Sequence, residues 1–256
     1  MQESAIAADT AAYQRVCALL DDSARLRTAD ADQSSRLALE ARVLARTHDH
    51  PALEAQALYH LASIAHQQGR PEDAFALASE AIALTPANEI SLTVAWSQHL
   101  LGVVHYQSSN FAEALDACQR ALDVYRSTDH VVDEGRILHT IAAIHQSMGD
   151  YERATESYET ALAVNETVGR PDVDAMVLGN LARIRGRRGD YPVAIELGNR
   201  AVALARSEAP HLVGSLLADL AEAHAGLGDL SAAEGCFDEA RSSWPGRAQA
   251  GDGQLL

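Results

Sequence analysis

The sequence predicts an all-α fold built as an array of about six antiparallel helix pairs, and three observations carry that expectation. One pattern recurs at fixed spacing: residues 141–161 read as a small-residue helix, a Gly-Asp turn, an aromatic and alanines at helical spacing. The same plan reappears at 61–81 and 101–121 upstream and at 181–201 and 220–240 downstream. Such a period marks stacked units that bury their apolar faces against their neighbours. Hydrophobic residues make up 47% of the chain but aromatics only 5%, a composition for close helix packing rather than for sheets of aromatic and β-branched residues. The turns carry matching punctuation, Gly149-Asp150, Gly189-Asp190 and Gly228-Asp229. There the glycine supplies the left-handed backbone that ends one helix, and the aspartate can accept from the free N–H groups that open the next.

Taken in order, residues 1–7 are expected to fray and 8–244 to form a single array, with a disordered tail at 245–256. Its six pairs fall at 8–47, 50–87, 88–127, 130–168, 171–207 and 208–243. The first pair, with helices at about 10–27 and 30–46, is a degenerate copy whose stripe is Leu37, Ala38, Ala41 and Leu44. A terminal repeat is expected to depart from the pattern, because one of its faces meets water. Pro51 and Pro71 each open a helix, where a missing N–H costs nothing; the helix over 51–68 ends at Gly69 and its partner stops near Pro86. The third pair, 88–108 and 111–126, turns at Ser109-Asn110, with Asn110 expected to tolerate the left-handed backbone. Helices at 130–148, 151–167, 172–188, 191–206, 209–227 and 230–243 complete the array.

These residues resemble the tetratricopeptide repeat, over roughly 50–243 with a weaker copy before it. The resemblance rests on first-helix pairs Leu61-Ala62, Leu101-Gly102, Ile141-Ala142, Leu181-Ala182 and Leu220-Ala221. It rests equally on second-helix alanines 74 and 81, 114 and 121, 154 and 161, 194 and 201, and 233 and 240. Small side chains there let the helices interlock, and Phe111, Tyr151 and Tyr191 after the turns wedge between neighbours. The spacing of 40, 40, 40 and 39 residues exceeds the family's usual 34. It resembles the longer variant of bacterial regulatory proteins and kinesin-light-chain-like adaptors. The resemblance implies a right-handed superhelical solenoid whose concave groove, walled by the first helix of each pair, binds a protein or peptide segment.

In that register the groove wall is expected to hold Tyr59, His60, Ser63 and His66, then Trp96, His99, Val103, Tyr106 and Gln107. Arg136, His139, Thr140 and Gln146 follow, then Asn180, Arg183 and Arg187. Aromatic surface mixed with donors suits an extended peptide. Arg183 and Arg187, four apart on one face with Arg136 expected one helix away, could grip a carboxylate or phosphate through forked hydrogen bonds. Alternatively, these arginines merely complement a helix C-terminus. His105, His145 and His224 share a repeat position facing the partner helix and read as packing; His99 and His139 recur on the wall without a carboxylate or cysteine at ligand spacing. His48-Asp49-His50 reads as a solvated loop. No metal or other cofactor is called for.

The net charge of -16 and pI near 5.0 disfavour nonspecific attraction to nucleic acid or anionic membrane. All 20 basic residues are arginine, so the lysines that the family's carboxylate clamp uses for chaperone tails are missing. No phosphate loop, nucleophile elbow, HExxH or paired-Cys motif appears. Cys17, Cys118 and Cys236 are widely separated and read as small hydrophobes in a reducing cytosol. The chain also has no run of 18 apolar residues. A non-enzymatic, cytoplasmic, bacterial binding scaffold is the leading expectation. The alternatives are the sensory or dimerisation half of a larger signalling regulator, of diguanylate cyclase or transcription-factor type, and a metal-binding or enzymatic protein. Phe237 and Trp244 are expected at an uncovered C-terminal end able to pair with a second copy.

Overall fold

The computed structural model describes residues 2–86 and 89–243, with side chains from residue 9 onward. Among the described residues it has twelve α-helices, one 3-10 turn and no strand, so the fold is the all-α repeat class that the period and composition predict. The chain divides into two compact units, Met1–His130 and Val131–Leu256.

The first unit holds α1 (Gln2–Leu26), α2 (Ala31–Thr47), α3 (Pro51–Gln67), α4 (Pro71–Ala83), α5 (Leu92–Gln107) and α6 (Phe111–Ser127). The helices pack as antiparallel pairs, and the first members α1, α3 and α5 lie side by side. The second unit repeats the plan with α7 (Val131–Ser147), α8 (Tyr151–Val168), α9 (Pro171–Arg187), α10 (Tyr191–Glu208), α11 (Val213–Leu227) and α12 (Leu230–Ser243). Here α7, α9 and α11 are the neighbouring first members.

The alanines pinpointed by the repeat form the seams. Ala74, Ala81, Ala114, Ala121, Ala154, Ala161, Ala194 and Ala201 are all fully buried. At these seams a larger side chain would have to push two backbones apart, at about 1–3 kcal/mol. Larger apolar groups fill the spaces between seams: Val16, Leu19, Leu20 and Leu53 in the first unit, and Leu178, Val202, Leu216 and Leu217 in the second. Tyr125 and Tyr158 have no exposed surface.

The turns follow the expected chemistry with two corrections. Gly69, Gly149, Gly189 and Gly228 take φ of 71–89°, and Asp150 and Asp229 each accept a hydrogen bond at 3.1 Å from the N–H three residues on. Asp190 makes no such cap bond; its carboxylate lies 3.9 Å from Arg185 instead. In the third pair Ser109, not Asn110, carries the left-handed backbone, at φ 61°, while Asn110 sits at φ -85°. Ser109 is the residue in register with the glycines, and turn geometry is set by position before side-chain preference.

Three local expectations also change. Pro210–Leu212 forms a 3-10 turn, so α11 starts at Val213 rather than at 209. The His48-Asp49-His50 loop keeps both rings partly buried, with His50 Nε2 3.3 Å and His48 Nδ1 3.8 Å from the Asp9 carboxylate of α1. His60, expected on the groove wall, is buried at 7% exposure. Its Nδ1 lies 3.4 Å from the Ser23 hydroxyl, within a polar knot where Ser34 Oγ donates to Ser23 carbonyl at 2.7 Å and Ser23 Oγ donates to Ser34 carbonyl at 3.0 Å. Position 60 faces α1, whose Ser23 hydroxyl reaches the imidazole. Trp244 and the tail lie outside the described residues; Phe237 is 47% exposed on α12.

Candidate binding surfaces

In the first unit the expected aromatic residues assemble along α3 and α5. Tyr59 and Trp96 stack with ring centroids 5.6 Å apart at 30°, and Trp96 meets His130 edge-on at 6.2 Å. His99 packs edge-on against buried Tyr125 at 6.4 Å. Tyr106 turns towards Phe111, centroids 6.3 Å apart, while Gln107 is exposed at the end of α5. Arg27 donates to the Ser63 hydroxyl at 3.4 Å. His66 is partly buried, and burial lowers its pKa. These side chains come together because positions 59, 63, 96, 99 and 106 recur at helical spacing on adjacent first helices, each side chain partly in solvent.

The second unit builds a polar chain centred on Arg183. Asn180, one turn back on α9, accepts from Arg183 Nη2 and its Nδ2 donates to His139 Nε2 at 3.0 Å. With the Gln146 amide turned to satisfy both neighbours, its oxygen accepts from Arg183 Nη2 and Nε at 3.1 and 3.2 Å. Its nitrogen then donates to the Tyr158 hydroxyl at 3.1 Å. His139 Nε2 acts as an acceptor, so the ring is neutral. Burial, reinforced by the Arg183 charge, holds its pKa down at about 4. The guanidinium is thus fixed by neutral groups on α7, α8 and its own helix, and its charge is not cancelled by them.

Beyond Arg183 lies an open cleft of about 240 Å³ between α9 and α11, with Arg183 and Arg187 on one rim and Asp219 and Glu222 on the other. Arg183 Nη1 and Asp219 Oδ2 stand 4.0 Å apart, beyond the 2.7–2.9 Å of a charge-assisted hydrogen bond. Burial raises the Asp219 pKa, opposed by the two arginines. Tyr191 closes the back of the cleft: a Cβ on Gly226 would stand 2.2 Å from its ring. Arg136, expected beside the arginine pair, is bound instead to Asp133 of its own helix at 3.2 Å.

Tetratricopeptide repeat patterns match residues 93–167 and 173–245, and a second pattern of the same description matches 23–89. The chain belongs to the tetratricopeptide repeat family. Solved structures of similar fold include BtubC (BKLC) from P. vanneervenii, at TM-score 0.68 and 17% identity over 96% of this chain and 94% of that one. The apo quorum sensor NprR from B. thuringiensis gives TM-score 0.71 at 16% identity, over 88% of this chain and 63% of its own. A Rap protein complexed with competence and sporulation factor gives 0.69 at 17% identity, again over 88% and 63%. No curated protein matches the sequence.

Within this tetratricopeptide array the expected wall ends at Arg187, one repeat short of the cleft's second rim. Asp219 occupies the repeat position of Asn180, and Glu222 that of Arg183, each 39 residues on. Carrying the register into α11 would have found both. The role of Tyr158 had no such signal, because its ring is an interior residue and only its hydroxyl reaches the polar chain. Among the described residues no group of three His, Cys, Asp or Glu is placed to hold a metal ion. No described helix is long and apolar enough to cross a membrane.

Proposed function

We propose that this protein is a non-enzymatic scaffold that binds a peptide or extended protein segment along the first helices of its repeats, in cytoplasmic bacterial regulation. The observation that carries the reading is the Arg183 chain. A guanidinium held by Asn180 and Gln146, themselves tied to His139 and Tyr158, is oriented before any ligand arrives, which reduces the ordering cost of binding. The Tyr59–Trp96 stack offers apolar contact area of the kind that anchors peptides. A cleft of about 240 Å³ is below the range of drug-sized ligand pockets, roughly 300–1,000 Å³, and suits a residue or two of a longer segment. Relatives in fold that a structure records as a quorum sensor or in complex with competence and sporulation factor support the same class. Burial pushes the Cys118 thiol up to about 12, which leaves it a packing group rather than a nucleophile.

The test is selection of short peptides from a random display library against the whole chain, followed by fluorescence polarisation with each enriched peptide. Trp96→Ala should weaken peptides held by the first unit, and Arg183→Ala those held by the second, about tenfold or more, the scale of a lost anchor, while helix content stays unchanged. Failure to enrich any peptide, or binding that survives both substitutions intact, refutes the scaffold reading.

A further inference from the structure

The cleft between α9 and α11 carries its charges in an arrangement that peptide capture alone does not require. Two cations, Arg183 and Arg187, line the α9 side, and two anions, Asp219 and Glu222, line the α11 side. Opposite charges so placed ordinarily close into ion pairs. Here the nearest approach is 4.0 Å, from Arg183 Nη1 to Asp219 Oδ2. The cause lies behind Arg183: Nη2 and Nε are taken by Asn180 and Gln146, which draw the guanidinium back from α11. Tyr191, wedged against Gly226, keeps the two helices propped at the back of the cleft.

The space between the rims has its own origin in the repeat. Gly186 stands where the preceding repeats place Gln146, Tyr106 and His66. A Cβ on Gly186 would meet only Ala194, at 3.8 Å, so packing leaves room for a side chain there. The hollow follows from the missing side chain. Across it the rims impose a field directed from arginine to carboxylate. A simple anion would meet Asp219 and Glu222, and a simple cation would meet Arg183 and Arg187; each gains on one rim what it loses on the other.

We propose that this cleft is a binding site for a zwitterion of amino-acid size, with its anionic group on Arg183 and Arg187 and its cationic group on Asp219 and Glu222. The volume of about 240 Å³ holds one such group. Desolvation already weighs on the Asp219 carboxylate, and an incoming ammonium compensates it. The chemistry can come from a free α-amino acid or from adjacent basic and acidic side chains of a peptide. Only the second source depends on the scaffold function proposed above.

The experiment is ligand titration of the full chain at low ionic strength, followed by the amide shifts of α9 and α11 in NMR spectra. Four probes are used: L-leucine, its amide, its N-acetyl derivative, and a lysyl-glutamate dipeptide blocked at both ends. L-leucine or the blocked dipeptide should bind, with the amide and the N-acetyl derivative at least tenfold weaker because each has lost one charge. Asp219→Asn and Arg187→Ala, checked for unchanged helix content by circular dichroism, should each weaken the zwitterion at least fivefold. Binding by L-leucine identifies a free metabolite as the source, and binding by the dipeptide alone identifies a peptide. If neither zwitterion shifts α9 and α11, or the single-charge analogues bind as well, the proposal is overturned. The display-selected peptides then judge the scaffold reading independently.

Discussion

Gly102→Ala is the substitution whose cost the structure prescribes most closely. Gly102 is the small residue on α5 at the α5–α6 seam. A Cβ built there would stand 2.4 Å from Cys118 Sγ and 3.3 Å from the Ala114 carbonyl. Ordinary packing contacts lie near 3.5–4.0 Å, so sulfur and methyl must separate by about 1 Å. Cys118 is fully buried and the carbonyl belongs to α6, so neither gives way freely. Overpacking of this kind costs about 1–3 kcal/mol, against about 1 kcal/mol gained by alanine over glycine in a helix. The net expectation is destabilisation by up to about 2 kcal/mol. Cys118→Ala removes the atom struck and by itself costs about 1 kcal/mol for the lost packing. In the double variant the new methyl enters the vacated space. The two costs should therefore fall short of their sum by about 1 kcal/mol or more, a coupling that urea unfolding followed by circular dichroism resolves for four proteins of equal m-value. Additivity within about 0.5 kcal/mol, or a Gly102→Ala protein more stable than its parent, refutes the argument that Cys118 fixes the small residue at 102.

Two further predictions concern backbone and pH. Ser109→Gly should stabilise the first unit by about 1 kcal/mol, because Ser109 holds φ 61° where an L side chain is disfavoured by roughly 1–2 kcal/mol. Asn110→Gly, at φ -85°, should bring no such gain, and thermal melts of the two variants compare them directly. His60 and His139 both have folded pKa values lowered from 6.5 to about 4, mainly by burial. The unfolded chain therefore binds more protons than the folded one between about pH 4 and 6.5. Stability should be flat above that window and fall as pH drops through it, by up to about 3 kcal/mol for each ring at about 1.4 kcal/mol per unit. Urea midpoints against pH should show a shallower slope for His60→Asn or for His139→Gln, and an unchanged slope in both would exclude these rings as the cause.

What was legible in the sequence is what depends on periodicity within a helix pair. The alanines at the seams, the turn glycines and the helix order all follow from which residues share a face, and the structure buries every one of those alanines to 4% exposure or less. His60 was misread because its surroundings are set by α1, a degenerate repeat whose register gives no warning that Ser23 will reach it. Arg136 stands on α7, the first helix beside α9, but its guanidinium takes the carboxylate of Asp133, one turn away on its own helix.

Arg183 is held differently, and the difference explains why the candidate site lies in the second unit. Its own turn offers Asn180 where Arg136 has Asp133, so the local partner fixes the side chain without neutralising it. Gln146 then holds the same guanidinium from α7, and the nearest carboxylate, Asp219, remains at 4.0 Å. Among the described residues the only carboxylate contact of Arg183 is therefore a long one, which leaves the guanidinium available to a closer anion. Replacing Asn180 by Asp should therefore pull Arg183 into a local ion pair like that of Arg136 and abolish ligand binding. His139 must then take the tautomer that donates from Nε2 to the new carboxylate, and with that exchange stability should change little; a large loss of stability would mean that Asn180 serves packing rather than the presentation of Arg183.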